Sequence, residues 1–150
     1  MSELPANRRP MRYDAALAIA RAWRDAGGRP SIELGALEPL LWKDGDLGPA
    51  DLVSGLVGLG MNVTMTTNAS CLSAKAHGLK AAGLSLLRIS WHTTEPLTYR
   101  EISGHGDYGN FWADICSAVD AGLKISFNRT LLRGSCHDRN SASSARTICA

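Results

Sequence analysis

The sequence predicts an α/β fold, a curved parallel sheet with helices on one side, and three observations carry that prediction. Helical patterns alternate with short β-type segments along the chain. The same small-residue stop recurs at Ala26-Gly27, Leu59-Gly60, Ala82-Gly83 and Ala121-Gly122, each shortly before a β-type segment. Those segments alternate strictly between apolar and polar residues, so one face of the sheet is greasy and the other polar. A doubly wound sheet, covered on both faces, would instead show near-continuous apolar runs. A partial barrel of parallel strands around a hydrophilic lumen, joined by right-handed crossovers, fits the alternation.

The elements follow in order. A first helix runs from about Asp14 to Ala26, with Ala16, Ile19, Ala20 and Trp23 on one stripe and Gly27-Gly28 as its stop. Ile32-Glu33-Leu34 is the first strand segment. The second helix follows Pro49 and Asp51, carries Leu52, Val53, Leu56, Val57 and Leu59, and ends at Gly60. Val63-Thr64-Met65-Thr66 is the second strand segment. The third helix follows Ser70 as N-cap, carries Leu72, Ala76 and Leu79, and ends at Gly83. Leu87-Arg88-Ile89-Ser90-Trp91 is the third strand segment. Glu95-Pro96 opens a short helix, and Tyr108, Phe111, Trp112, Ile115 and Val119 mark a longer one ending at Gly122, with Phe111 and Trp112 read as core. Leu123-Lys124-Ile125-Ser126-Phe127 is the fourth strand segment. Its parity joins Glu33, Thr64, Thr66, Asn68, Arg88, Ser90, His92, Lys124, Ser126 and Asn128 on the polar side.

Composition bounds the function. A chain of 150 residues, 45% apolar and 20% charged, is long enough for one domain with a real core. Its formal net charge is +2, without a run of like charges, which gives no footprint for a nucleic acid or an anionic membrane surface. The amino terminus, Met-Ser-Glu-Leu-Pro-Ala-Asn-Arg-Arg-Pro, lacks the apolar core of a signal peptide, and nothing later approaches the roughly 18 apolar residues of a membrane span. A cytoplasmic protein is expected. Cys71, Cys116, Cys136 and Cys149 are scattered, with neither a disulfide framework nor a zinc spacing, and read as reduced thiols.

In such sheets a ligand lies at the carboxyl ends of the strands. The residues leaving the strands are Gly35-Ala36-Leu37-Glu38-Pro39, Thr66-Thr67-Asn68, Ser90-Trp91-His92-Thr93-Thr94 and Asn128-Arg129-Thr130. They suit a polar small molecule. They contain no nucleophile beside a base and no carboxylate pair, so a self-contained hydrolase is not expected. Taken singly, Thr66 and Ser90 are ordinary polar strand exits, Glu38-Pro39 a common turn pair, and Asn68-Ala69 a left-handed turn.

Together these exits resemble a known pattern. Residues Ile32 to Leu41 look like the Gly-Gly-Glu-Pro region of the radical S-adenosylmethionine (SAM) enzymes, and Thr66-Thr67-Asn68-Ala69 resembles their Thr-Thr-Asn-Gly. Residues Ala82 to Ser90, Tyr99-Arg100-Glu101-Ile102-Ser103-Gly104, and Ala121-Gly122-Leu123 through Leu131-Leu132-Arg133-Gly134 follow in the family's order. Order and spacing are closest to the molybdenum-cofactor type that makes cyclic pyranopterin monophosphate from GTP, over about Arg9 to Gly134. The resemblance implies a (β/α)6 TIM-like barrel, present here as about four parallel β/α units. It also implies a [4Fe-4S] cluster, SAM as cofactor, reductive SAM cleavage and hydrogen abstraction by the 5′-deoxyadenosyl radical. By correspondence, Ala36, Leu37, Glu38, Thr66, Asn68 and Ser90 face the cofactor, and Asn128 faces a small-molecule substrate.

Three departures accompany the resemblance. The family's CxxxCxxC loop is absent, so the chain is expected to begin just downstream of the cluster ligands and to hold no metal. The positions of an arginine and a lysine that contact GTP in the pyranopterin type carry Glu33 and Ser126, which makes a triphosphate a poor substrate. Residues 135–150 are polar and aperiodic, and are expected to form a disordered tail outside a core domain of residues 1–134. The resemblance therefore implies a radical SAM enzyme domain, here an inactive fragment, with an electron-donor protein as partner if active. The alternative is a noncatalytic module that binds SAM or a nucleotide, or pairs with another subunit.

Overall fold

A computed structural model of the protein describes residues 10–35, 37–103 and 108–129. Four strands, β1 (Ser31–Leu34), β2 (Asn62–Thr67), β3 (Leu86–Ser90) and β4 (Ile125–Asn128), form one sheet in the order β1-β2-β3-β4. Every pairing is parallel. Because spatial order repeats chain order, successive crossovers step the same way and lay their helices on the same face, the arrangement of a barrel wall. The predicted class holds: an α/β fold made of part of a TIM-like (β/α) barrel, with four parallel strands.

The helices are α1 (Tyr13–Asp25), α2 (Pro49–Gly58), α3 (Ala76–Ala81), α4 (Pro96–Ser103) and α5 (Tyr108–Asp120), with a short 3-10 turn at Pro39–Leu41. Pro49 occupies the first turn of α2, where its missing N–H costs nothing, and Asp51 accepts the Gly48 amide at 2.8 Å. The recurring glycine stops share one chemistry. Gly60, Gly83 and Gly122 each adopt positive φ, and the next residue's amide returns to the carbonyl five residues back: Met61 to Leu56, Leu84 to Leu79, Leu123 to Ala118. That pairing satisfies carbonyls the helix end would leave orphaned and turns the chain toward the next strand.

The core lies between the helices and the apolar parity of the sheet. Val63, Met65, Leu87 and Ile89 are fully buried there, with Val53 and Leu56 of α2, Leu79 of α3, and Phe111 and Ile115 of α5. Burial of each such side chain contributes about 1.5–3 kcal/mol. Aromatic rings close one end: Trp91 meets Trp112 edge-on at 5.4 Å and Phe127 at 5.3 Å, while Tyr99 lies 5.0 Å from Phe111. Burial, followed by the nearby Asp114 charge, pushes the Tyr99 phenol above its ordinary pKa.

Local expectations change in four places. Ile19 and Trp23 of α1 are both more than half exposed, and the core-facing line is Tyr13, Ala16, Leu17 and Ala20. Gly55 of α2 explains the rotation, since the space beside it is filled by the Tyr13 ring and Leu17. Ser70 does not cap α3, which begins at Ala76 with Lys75 at its N-cap. Ala69 and Cys71 have φ of 70° and 62°, and two left-handed residues break any helix there. Cys71 therefore sits in an exposed turn rather than in a helix. Trp91 lies just past β3 and is buried, although its amide still donates to Asn128 at 2.9 Å. The proposed tail at residues 135–150, the matches at Gly104 and at residues 131–134, and the residue Thr130 lie outside the described residues.

Candidate functional site

Among the described residues the polar parity of the sheet is half-buried or exposed, in contrast to the buried apolar parity of β2 and β3. Strand register aligns Glu33 with Thr64, Thr66 with Arg88, Arg88 with Ser126 and Ser90 with Asn128. Period-two geometry sends all of these to the same side, as the sequence predicts. A cavity of about 650 Å³ lies against this wall, lined by Ser31, Glu33, Asn62, Thr64, Ser85, Leu86, Arg88 and Lys124.

At the centre of the wall three strands are tied together. Arg88 Nη1 of β3 donates to Glu33 Oε2 of β1 at 2.7 Å, reaching across β2. Thr66 Oγ1 of β2 donates to the other oxygen, Oε1, at 2.6 Å. The Thr66 hydroxyl and then the Arg88 guanidinium hold the Glu33 carboxyl below its usual pKa. The pair is half-exposed, so its Coulomb term is screened and it contributes at most about 1 kcal/mol to folding.

A second carboxylate organises the rim. Glu38 Oε1 accepts from the Leu40 amide at 3.0 Å and from Thr67 Oγ1 at 2.6 Å, and Oε2 accepts from the Asn68 amide at 2.8 Å. Glu38 thereby starts the 3-10 turn and joins the exit of β1 to that of β2. Its carbonyl accepts from the Leu41 amide at 3.0 Å. Leu37 just before it has φ of 51° with a side chain 78% exposed. The left-handed backbone at Leu37 and Ala69 falls where the resembling motifs carry glycine, the residue for which that conformation carries no Cβ penalty.

Of the predicted residues, Leu37, Glu38, Thr66 and Asn68 are thus gathered at the β1–β2 rim, and Ser90 and Asn128 are register neighbours at the β3–β4 rim. Ala36 lies outside the described residues. Side chains are not all equally free. Thr66 is engaged by Glu33, and Asn68 Oδ1 accepts the Ser70 amide at 2.8 Å. Sequence reasoning passed over Thr67, which is buried and anchors Glu38. Its signal was a hydroxyl on the apolar parity, in line with Val63 and Met65.

The described residues do not fit an iron–sulfur cluster. Among them no group of three or more His, Cys, Asp or Glu is placed to hold a metal ion. Cys71 lies on its exposed turn and Cys116 on α5, and such a cluster needs closely spaced thiolates. The left-handed turn at Leu37 follows the carboxyl end of β1, while Ser90 and Asn128, neither of them buried, end β3 and β4 on the same edge of the sheet.

No family model matches the chain. Comparison with curated proteins is informative. The chain is similar to the GTP 3′,8-cyclase of Pelotomaculum thermopropionicum, with 33% identity over 135 residues, 89% of this chain and 38% of that protein. It is 36% identical over 106 residues to a probable GTP 3′,8-cyclase of Pyrobaculum aerophilum, covering 69% of this chain and 33% of the relative. It is also 36% identical over 110 residues to GTP 3′,8-cyclase 1 of Pseudomonas aeruginosa, covering 73% and 33%. The chain spans 33–38% of the length of these curated relatives.

Proposed function

The chain belongs to the radical SAM family that includes the GTP 3′,8-cyclases, and from that premise we propose that it forms one wall of a small-molecule site taking SAM at the carboxyl rim of its sheet. The observation that carries this reading is the rim itself. Main chain at the left-handed Leu37 turn, the Ser90 hydroxyl and the Asn128 amide lie on one edge, with Glu38 fixing the turn from behind. Glu38 spends its carboxylate on Leu40, Thr67 and Asn68, so it positions the turn, and the main chain of the turn meets the amino group of the cofactor.

SAM cleavage in this family draws on an iron–sulfur cluster. The four cysteines of this sequence include no CxxxCxxC spacing, and the described residues hold no metal site, so in our reading the chain binds SAM and substrate without generating the radical by itself. The small net charge agrees with a small molecule rather than a nucleic acid as ligand, and among the described residues no helix is long and apolar enough to cross a membrane. Any electron-donor protein would serve only the cluster.

Calorimetric titration of the purified chain with SAM, alongside iron analysis, tests the proposal. Saturable one-to-one binding is expected without stoichiometric iron, and Ser90→Ala should weaken it about tenfold, the worth of one hydrogen bond to a charged ligand. Absence of saturable binding would overturn the reading. Stoichiometric iron after anaerobic reconstitution would overturn its noncatalytic part.

A further inference from the structure

We propose that Glu33 is a built-in anion that occupies Arg88 and sets this cavity against phosphate-bearing ligands, selecting a polar substrate without phosphate. The inference rests on the reading of the polar wall as the substrate side of the site. Its basis is the geometry of the β1–β3 bridge. A guanidinium facing a cavity on a barrel wall is the side chain best suited to grip a phosphate, through paired N–H donors. Here Arg88 Nη1 is already committed to a carboxylate oxygen at 2.7 Å, and Thr66 holds the other oxygen at 2.6 Å.

The charges around the cavity make the consequence specific. Its charged lining consists of Glu33, Arg88 and Lys124. A phosphate arriving at Arg88 either displaces Glu33 or shares the same guanidinium with it, and in both cases it lies beside that carboxylate. Like charges at such separations repel, and a cavity against protein screens them less than open solvent does. A ligand with hydroxyl, amide or amino groups avoids that repulsion. It can donate to Glu33 where it stands, and it finds further polar partners in Ser31, Asn62, Thr64 and Ser85.

The experiment reads binding of inorganic triphosphate, and separately of GTP, to the full chain at low ionic strength. Wild type is expected to show no saturable binding of either at millimolar concentration. Glu33→Gln keeps the shape and removes the charge, leaving Arg88 and Lys124 facing the cavity, and should tighten triphosphate binding at least tenfold. Glu33→Thr, a strand-favouring replacement, should give the same gain and guards against a folding defect in one variant. Adding Arg88→Gln should abolish the gain. Equal triphosphate binding by wild type and both Glu33 variants, strong or absent, would overturn the proposal. A parallel SAM titration separates the two readings: SAM binding with no gain in the Glu33 variants defeats only this inference, and a gain in triphosphate binding without SAM binding defeats only the proposed cofactor site.

Discussion

Leu37 holds a conformation that an L-residue with a Cβ adopts at a cost of about 1–2 kcal/mol, and its side chain recovers little by burial, being 78% exposed. Glycine there would relieve the strain and return part of the gain to the unfolded chain as entropy. Leu37→Gly is therefore expected to raise the unfolding free energy by about 0.5–1 kcal/mol, measured by urea denaturation with an unchanged slope. An unchanged or lowered midpoint would show that the turn is not strained. At this scale the sequence was readable where parity decides the matter, as for Thr66, Arg88, Ser90 and Asn128. It was silent where a hydrogen bond decides. Nothing in the string Thr66-Thr67 says that the first hydroxyl turns to Glu33 and the second to Glu38, because both partners lie some thirty positions away.

Between elements, Glu38 ties the 3-10 turn to the end of β2 through three hydrogen bonds to one carboxylate. Glu38→Ala should lower stability by about 2 kcal/mol, since hydrogen bonds to a charged acceptor are the stronger ones and the buried Thr67 hydroxyl loses the acceptor of its proton. Glu38→Gln should recover part of that loss. Thermal unfolding of both variants checks the order, and equal stability of all three proteins would deny the clamp. Element by element, the four strands lie close to where alternation places them. The glycine stops also fall where expected, because helix termination is a local event. The buried face of α1 was not legible for a physical reason. Ala16 and Ala20 belong equally to a stripe through Tyr13 and Leu17 and to one through Ile19 and Trp23. Packing against Gly55, absent from any local window, chooses between them.

Across the whole molecule, β2 and β3 are flanked on both sides while β1 and β4 each have one paired edge among the described residues. Their burial differs accordingly: Val63, Met65, Leu87 and Ile89 are fully buried, whereas the residues of β1 and β4 are half-buried or exposed. Amide hydrogen exchange should therefore be slowest in β2 and β3, with β1 and β4 exchanging through smaller openings. Uniform protection across all four strands would contradict this gradient. Strand order carries a further consequence for biosynthesis. Each strand pairs with the one made just before it, after one intervening crossover. Among the described residues no strand waits for a distant partner still to be translated, and these four strands can be added one at a time behind the ribosome, with each helix covering the strand already laid down.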